Sequence, residues 1–301
     1  MTPDHRIVIF IVGPTASGKT SAALELAQHL PIEIISADSR QVYQEMDIGT
    51  AKPTPEQQKS APHHLIDVVR PDEPFNLGLF SNQANDAINQ IFERGKLPIV
   101  VGGTGQYIWS LVEGWKVPAL PAQLKIREEL EQQAELYGPE FLHKRLNKID
   151  PISAGTIDPR NLRRVIRALE VWQATGATFS SKRIKSHPSF TPQVFGISID
   201  TVDLAARIST RMYSMIDAGW VGEVSRLLDS GFDTTLPSFS SSGYRELAAY
   251  IKGESDWDET LAKITISLRR LARRQRAWFR SGDTRITWID KVKELNQLIS
   301  A

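Results

Sequence analysis

The stretch IFIVGPTASGKT, residues 9–20, constrains this chain more than any other. An apolar run ends in Gly13-x4-Gly18-Lys19-Thr20, the spacing G-x-x-x-x-G-K-[ST] between a strand and a helix. Glycines let the backbone curl so that several N–H groups face one anion, and the following helix adds the partial positive charge of its N-terminus. The phosphate-cradling residues are therefore expected to be Gly13, Pro14, Thr15, Ala16, Ser17, Gly18, Lys19 and Thr20. Lys19 reaches the terminal phosphate, and the Thr20 hydroxyl is suited to ligating Mg²⁺. The loop alone does not say whether the anion carries two phosphates or three.

Hydrophobic patterning extends the loop into an α/β start. Arg6–Val12 reads as a buried strand, Lys19–Leu30 as a helix, and Ile32–Ala37, Leu65–Val69 and Leu97–Val101 as further strands. Phe80–Arg94 is helical in pattern. Strands alternating with helices imply a parallel sheet covered by helices. After Pro118 and Pro121 the pattern turns helical, basic and proline-interrupted to about Phe190, and PQVFGISID, residues 192–200, reads as a strand returning to the sheet. The expected organisation is one core, residues 1–117 and 192–301, with a helical insertion at 118–191. The chain is again mostly helical from Leu204 onward.

Charge divides the chain in a way that the formal net value of +1 conceals. Residues 1–115 hold 8 Lys and Arg against 13 Asp and Glu, a balance of −5. Two later blocks are basic: 10 against 3 over residues 143–187, and 8 against 1 over 263–285. Two arginine-dense blocks joined to an acidic phosphate-handling third favour a polyanionic partner. The absence of cysteine excludes disulfides and cysteine-ligated zinc and fits a reducing interior. No apolar run approaches the ~20 residues of a membrane helix, and Met-Thr-Pro-Asp-His-Arg shows no leader pattern, so no membrane association and a cytoplasmic location are expected.

Two aspartates follow apolar runs: Asp38 after IEIIS and Asp67 within LIDVV. Ligands of an open α/β sheet sit beyond the carboxyl ends of its strands, so Asp38 is expected to face the same crevice as Lys19, as a metal ligand or a general base.

The stretches GPTASGKT (13–20), ISADSRQVYQEMDIGTAKP (35–53), PHHLIDV (62–68), VVGGTGQYI (100–108), RRVIRALEV (163–171) and RRQRAWFR (273–280) occur in this order. Together they resemble the bacterial tRNA dimethylallyltransferase family over nearly the whole chain. The resemblance implies a P-loop NTPase-like core with a helical insertion. It also implies transfer of a dimethylallyl group from its diphosphate to the exocyclic amine of the adenosine 3′ to the anticodon, with Mg²⁺ as cofactor. The cradled anion is then a departing diphosphate. By resemblance Asp38 is the general base and Thr15 helps position the diphosphate. The family pattern R-x3-R-x3-M-x3-G places Arg211, and second Arg207, as cationic help for the leaving group.

The resemblance also carries tRNA contacts onto Asp38, Ser39, Arg40 and Gln41, onto Thr104 and Arg127, onto Arg163, Arg164 and Arg167, and onto Ser240, Gly243, Tyr244 and Arg245. Helical spacing independently gives two cationic stripes: Arg160, Arg164 and Arg167, then Arg269, Arg273 and Arg276 with Arg280 continuing. Apolar stripes oppose them, Leu162, Ile166 and Leu169 in one helix and Ile264, Leu268 and Leu271 in the other. Arg273 and Arg276 are accordingly expected on the RNA side. The acceptor base must leave its stack to reach a buried allyl carbon. His63 and His64 read as loop hydrogen-bonders, and no zinc is expected. The sequence departs from the family at Gln106 and at the serines of SSSGYRE, residues 240–246. Rival readings are a P-loop kinase of a small metabolite, a non-catalytic nucleotide-gated RNA binder, and a prenyltransferase of free adenine nucleotides. A working monomer is expected.

Overall fold

A computed structural model describes residues 6–116, 123–182, 184–290 and 294–295. The chain falls into two compact units, Met1–Val112 with Pro188–Ala301, and Glu113–His187.

The first unit holds six parallel strands: β1 (Ile7–Val12), β2 (Ile32–Ser36), β3 (His63–His64), β4 (Leu97–Gly102), β7 (Thr191–Ile197) and β8 (Ile286–Ile289). Their order is β3-β2-β4-β1-β7-β8, with β1 flanked by β4 and β7 in the centre. Helices α1 (Lys19–Leu26), α2 (Pro55–Ser60), α3 (Leu77–Glu93), α4 (Gly105–Val112), α10 (Thr201–Asp217), α11 (Trp220–Asp229), α12 (Tyr244–Ile251) and α13 (Trp257–Trp278) belong to this unit, with a short 3-10 helix at Pro237–Ser240. The second unit contains α5 (Leu124–Tyr137), α6 (Pro139–Ile149), α7 (Pro151–Thr156), α8 (Leu162–Thr175) and α9 (Phe179–Lys182), with an antiparallel ribbon of β5 (Trp115–Lys116) and β6 (Ile184–Lys185).

Strand β1 is apolar along its whole length because it is buried on both faces: Val8, Ile9, Phe10, Ile11 and Val12 are all at most 1% exposed. Ile9 and Ile11 pack with Ala22, Ala23 and Leu26 of α1. That packing fixes the helix after the loop directly against the strand before it. Each large apolar side chain buried there contributes about 1.5–3 kcal/mol. Parallel pairing puts the carboxyl ends of β1, β2, β4 and β7 on one edge of the sheet. Helix α13, capped by the Asp256 side chain on the Glu259 N–H, buries Ile264, Leu268 and Ala272 against the helical layer formed with α10, α11 and α12.

Several elements differ from the patterned expectation. The third strand is His63–His64 and not Leu65–Val69, because Leu65 (φ 62°) and Asp67 (φ 56°) take left-handed backbone that cannot continue a ladder. Val69 keeps one isolated bridge to Tyr43. Helix α1 ends at Leu26, four residues early, in turns that run to Pro31. Strand β8 has no counterpart in the patterned expectation; it pairs with β7 as the edge of the sheet. The helical unit is Glu113–His187 in place of 118–191, since Trp115 and Lys116 pair with Ile184 and Lys185 inside it. The expected 117/118 boundary, Pro118 and Pro121 lie outside the described residues. Among the described residues no helix is long and apolar enough to cross a membrane.

Candidate active site

Beyond the carboxyl ends of β1, β2 and β4 lies a cavity of about 320 Å³ within the first unit. Gly18, at φ 98°, turns the phosphate loop into α1, and Ala16 is held at φ 62°, a strained value for a residue with a Cβ. Thr15, Ala16, Lys19 and Thr20 line the cavity. Gly13, Pro14 and Ser17 sit behind them as buried backbone support, and the buried Ser17 hydroxyl has no hydrogen-bond partner among the described residues.

Lys19 donates to the Pro14 carbonyl at 2.7 Å, so the loop's own backbone holds the cation at the cavity wall. Burial, reinforced by the nearby Arg211 charge and opposed by Asp38, pushes the Lys19 ammonium from 10.5 down to about 7. Arg211, on α10, lines the same cavity and is itself lowered by burial, with Asp38 again opposing. Arg207, one turn earlier, is exposed and does not line it.

Asp38 follows β2 by two residues and faces this cavity. Its Oδ1 accepts the Arg40 N–H at 2.8 Å, a short local turn that aims the carboxylate. Thr104, just past β4, accepts the Ser39 N–H at 3.1 Å on its Oγ1 and so joins two strand exits. Ser39, Arg40, Gln41 and Ser240 also line the cavity. Arg40 donates from Nη1 to the Pro237 carbonyl. Asp67 instead turns to Lys52, whose ammonium also contacts Asp47 and the Tyr43 carbonyl.

Other expected contacts separate. Tyr244 is fully buried and donates its hydroxyl to Glu223 at 2.7 Å, and Gly243 is buried against Trp220. Neither presents a surface to RNA, which corrects that expectation. Arg245 is exposed and donates to the Thr234 carbonyl. Arg273 is exposed, and Arg276 donates to Thr201 Oγ1 at 2.8 Å and to the Ile199 carbonyl at 3.0 Å. Neither lines the cavity, whereas Arg274 does. In the helical unit, Arg163 and Arg164 are exposed, while Arg127 and Arg167 both bind the fully buried Glu170 carboxylate. His64 hydrogen-bonds Glu33, and His63 Nδ1 meets the Ala61 carbonyl.

Pattern reading misses Gln275. Its carboxamide oxygen accepts the Thr15 N–H at 2.7 Å, and a Cβ on Gly103 would fall 2.2 Å from its Nε2. The signal that could have found it is a polar residue in register with the buried side of α13, at positions 264, 268, 272 and 275.

A phosphate-cradling loop at the centre of a parallel sheet, two half-buried cations beside it and a carboxylate on the same cavity define a P-loop α/β enzyme with a general-base candidate beside its phosphate site. Comparison with known proteins narrows this class. The family model described as IPP transferase matches residues 41–282. A tRNA dimethylallyltransferase of Roseiflexus sp. (strain RS-1) is 46% identical over 290 residues, covering 96% of this chain and 95% of its own. Another from Roseiflexus castenholzii is 47% identical over 273 residues, 91% and 89% of the two chains. The solved tRNA isopentenylpyrophosphate transferase of Bacillus halodurans superposes with a TM-score of 0.72 at 37% identity, covering 98% of this chain and 96% of that one. A eukaryotic dimethylallyltransferase acting on tRNA gives 0.79 at 26% identity, over 97% and 75%. The chain belongs to the IPP transferase family and is a prenyltransferase of the tRNA dimethylallyltransferase type, on a P-loop NTPase-like fold.

Proposed function

We propose that this chain transfers the dimethylallyl group of dimethylallyl diphosphate to the exocyclic amine of the adenosine 3′ to the anticodon in tRNA, releasing diphosphate. The observation that carries the reading is that Lys19, Thr20, Arg211 and Asp38 face one cavity. Loop N–H groups, Lys19 and Arg211 bind the diphosphate and neutralise the charge it gains as the allylic C–O bond breaks. The adenine nitrogen, a weak nucleophile, forms the new C–N bond, and its proton passes to the Asp38 carboxylate, an effect commonly worth ~10²–10⁴-fold.

Mg²⁺ fits the oxygen donors present: Thr20 lines the cavity at the loop, and the remaining ligands would be phosphate oxygens and water. When bound, it supplies Lewis-acid stabilisation of the leaving diphosphate. Ser39, Arg40, Gln41, Thr104 and Ser240, on the cavity wall, cradle the extruded base and its flanking phosphates. Arg163, Arg164 and the Glu170-held Arg127 and Arg167 supply further cationic contacts from the helical unit, and Arg245 and Arg273 supply exposed charge in the core. The enzyme works as a monomer in the cytoplasm.

The test is incubation with dimethylallyl diphosphate, Mg²⁺ and tRNA bearing that adenosine. Prenylated adenosine in the tRNA is expected. Its absence together with ATP consumption would replace this reading with a kinase, and product on free adenine nucleotides alone would replace the acceptor.

A further inference from the structure

Glu223, on α11, is 2% exposed, and among the described residues no lysine or arginine pairs with it. Its carboxylate is satisfied by four neutral donors. Oε2 accepts the N–H groups of Asp47 at 2.8 Å and Ile48 at 2.7 Å. Oε1 accepts the Gly49 N–H at 3.2 Å and the Tyr244 hydroxyl at 2.7 Å. Three successive amides converging on one anion form a nest of the kind that binds free anions, here closed by a side chain of the same chain. The loop also packs closely against aromatic side chains. A Cβ on Gly49 would lie 2.0 Å from Trp220 Nε1 and 2.6 Å from Tyr244 Cε2.

This loop continues into the cavity wall. The carbonyls of Thr50 and Ala51 accept from Gln41 Nε2 at 3.3 and 2.9 Å. The other end of that carboxamide, Gln41 Oε1, accepts from Ser36 Oγ at 2.8 Å. Ser36 and Gln41 bracket Asp38 in the chain, and Asp38, Gln41, Gly49, Thr50 and Ala51 all line the cavity. Hydrogen bonds at both ends of the 47–51 backbone therefore tie a buried carboxylate on α11 to the segment that carries the acid.

We infer that Glu223 is a positioning residue for the transfer reaction, holding the 47–51 loop so that Gln41 fixes the Asp38 segment toward the acceptor amine. The inference rests on the function proposed above. Glu223 acts on the acceptor side only; the phosphate loop, which binds the other substrate, makes none of its hydrogen bonds.

Glu223→Gln keeps the shape but replaces one acceptor oxygen with an NH₂ group that faces amide donors. With folded content confirmed by circular dichroism, kcat for transfer to tRNA is expected to fall ~10–100-fold, as a displacement near 1 Å can cost. KM for dimethylallyl diphosphate and affinity for inorganic diphosphate should stay within about twofold of wild type. Gln41→Ala breaks the relay one step later and should give the same split, and the Glu223→Gln/Gln41→Ala double variant should be no slower than the slower single. Effects that multiply, or a parallel loss of diphosphate affinity, would show general destabilisation and overturn the assignment. If Glu223→Gln does not fold, Gln41→Ala alone decides: wild-type kcat in that variant removes the relay. Wild-type protein without transfer to tRNA would sink the proposed function, whereas an active wild type with a fully active Glu223→Gln sinks only this inference.

Discussion

The Gln275 carboxamide oxygen lies 2.7 Å from the Thr15 backbone nitrogen and accepts its N–H, joining helix α13 to the phosphate loop across 260 positions of sequence. The same side chain occupies the space that a Cβ on Gly103 would need. Loop and helix thus share a part-buried polar contact, and the loop's shape depends on a residue from the far end of the chain. Gln275→Leu leaves the Thr15 N–H unsatisfied. A loss of about 1–3 kcal/mol in urea unfolding is expected, with a raised KM for the prenyl diphosphate in steady-state assays.

Among the described residues, Asp38 is the one carboxylate on the cavity wall. Asp38→Asn preserves size and one acceptor oxygen but cannot take a proton. Single-turnover transfer should slow ~10²–10⁴-fold, while tRNA affinity by filter binding stays within a few-fold. Loss of tRNA binding with an unchanged transfer rate would reverse the assignment.

Lys19 titrates near 7 in the free protein because burial and Arg211 disfavour its charge. An anion seated in the loop raises that pKa, so binding takes up a proton. Diphosphate affinity should therefore weaken as pH rises above about 7. Titration calorimetry in two buffers of different ionisation enthalpy should detect the uptake about one pH unit higher, and Lys19→Met should abolish it.

Glu33 shows a pH effect of opposite sign. Burial pushes its carboxyl up, but hydrogen bonds from Arg94, His64 and Lys96 outweigh this and hold it at about 2, below the ordinary 4.5. A carboxylate whose pKa falls on folding stabilises the protein above the unfolded value and loses that contribution as pH drops through the folded one. Glu33→Gln should be less stable at neutral pH by on the order of 2 kcal/mol, less than the full shift implies because water still reaches Arg94 and Lys96. In denaturant unfolding the gap to wild type should narrow from pH 4.5 toward about 2.

The basic face of α13 also separates by position. Arg274 lines the cavity, Arg273 is exposed, and Arg276 is tied to Ile199 and Thr201. Arg274→Ala should lower kcat/KM for tRNA more than Arg273→Ala. Each phosphate interaction removed should reduce the salt slope of tRNA binding by about 1. Arg276→Ala should act mainly on thermal stability.

What is legible along the chain is local. The phosphate loop declares itself because a tight anion cradle needs glycines at fixed spacing between a buried strand and a helix, and Gly13 to Thr20 satisfy that without reference to any other segment. Strand β1 and the apolar stretches of β2, β4 and β7 are legible for a related reason: a segment buried on both faces is apolar, whatever lies beside it. The third strand is displaced from its expected place because apolar composition at Leu65 to Val69 does not reveal left-handed backbone at Leu65 and Asp67.

The tertiary structure decided which polar side chains of an arginine-rich helix face inward and which of two arginines on α10 reaches the cavity. It also turned Tyr244 away from the surface onto Glu223, and placed Gln275 against a loop 260 residues distant. Spacing within a helix gives a side chain's angle about its own axis. The neighbour it meets is set by how the helices pack on the sheet, and that is a sum over interactions remote in sequence.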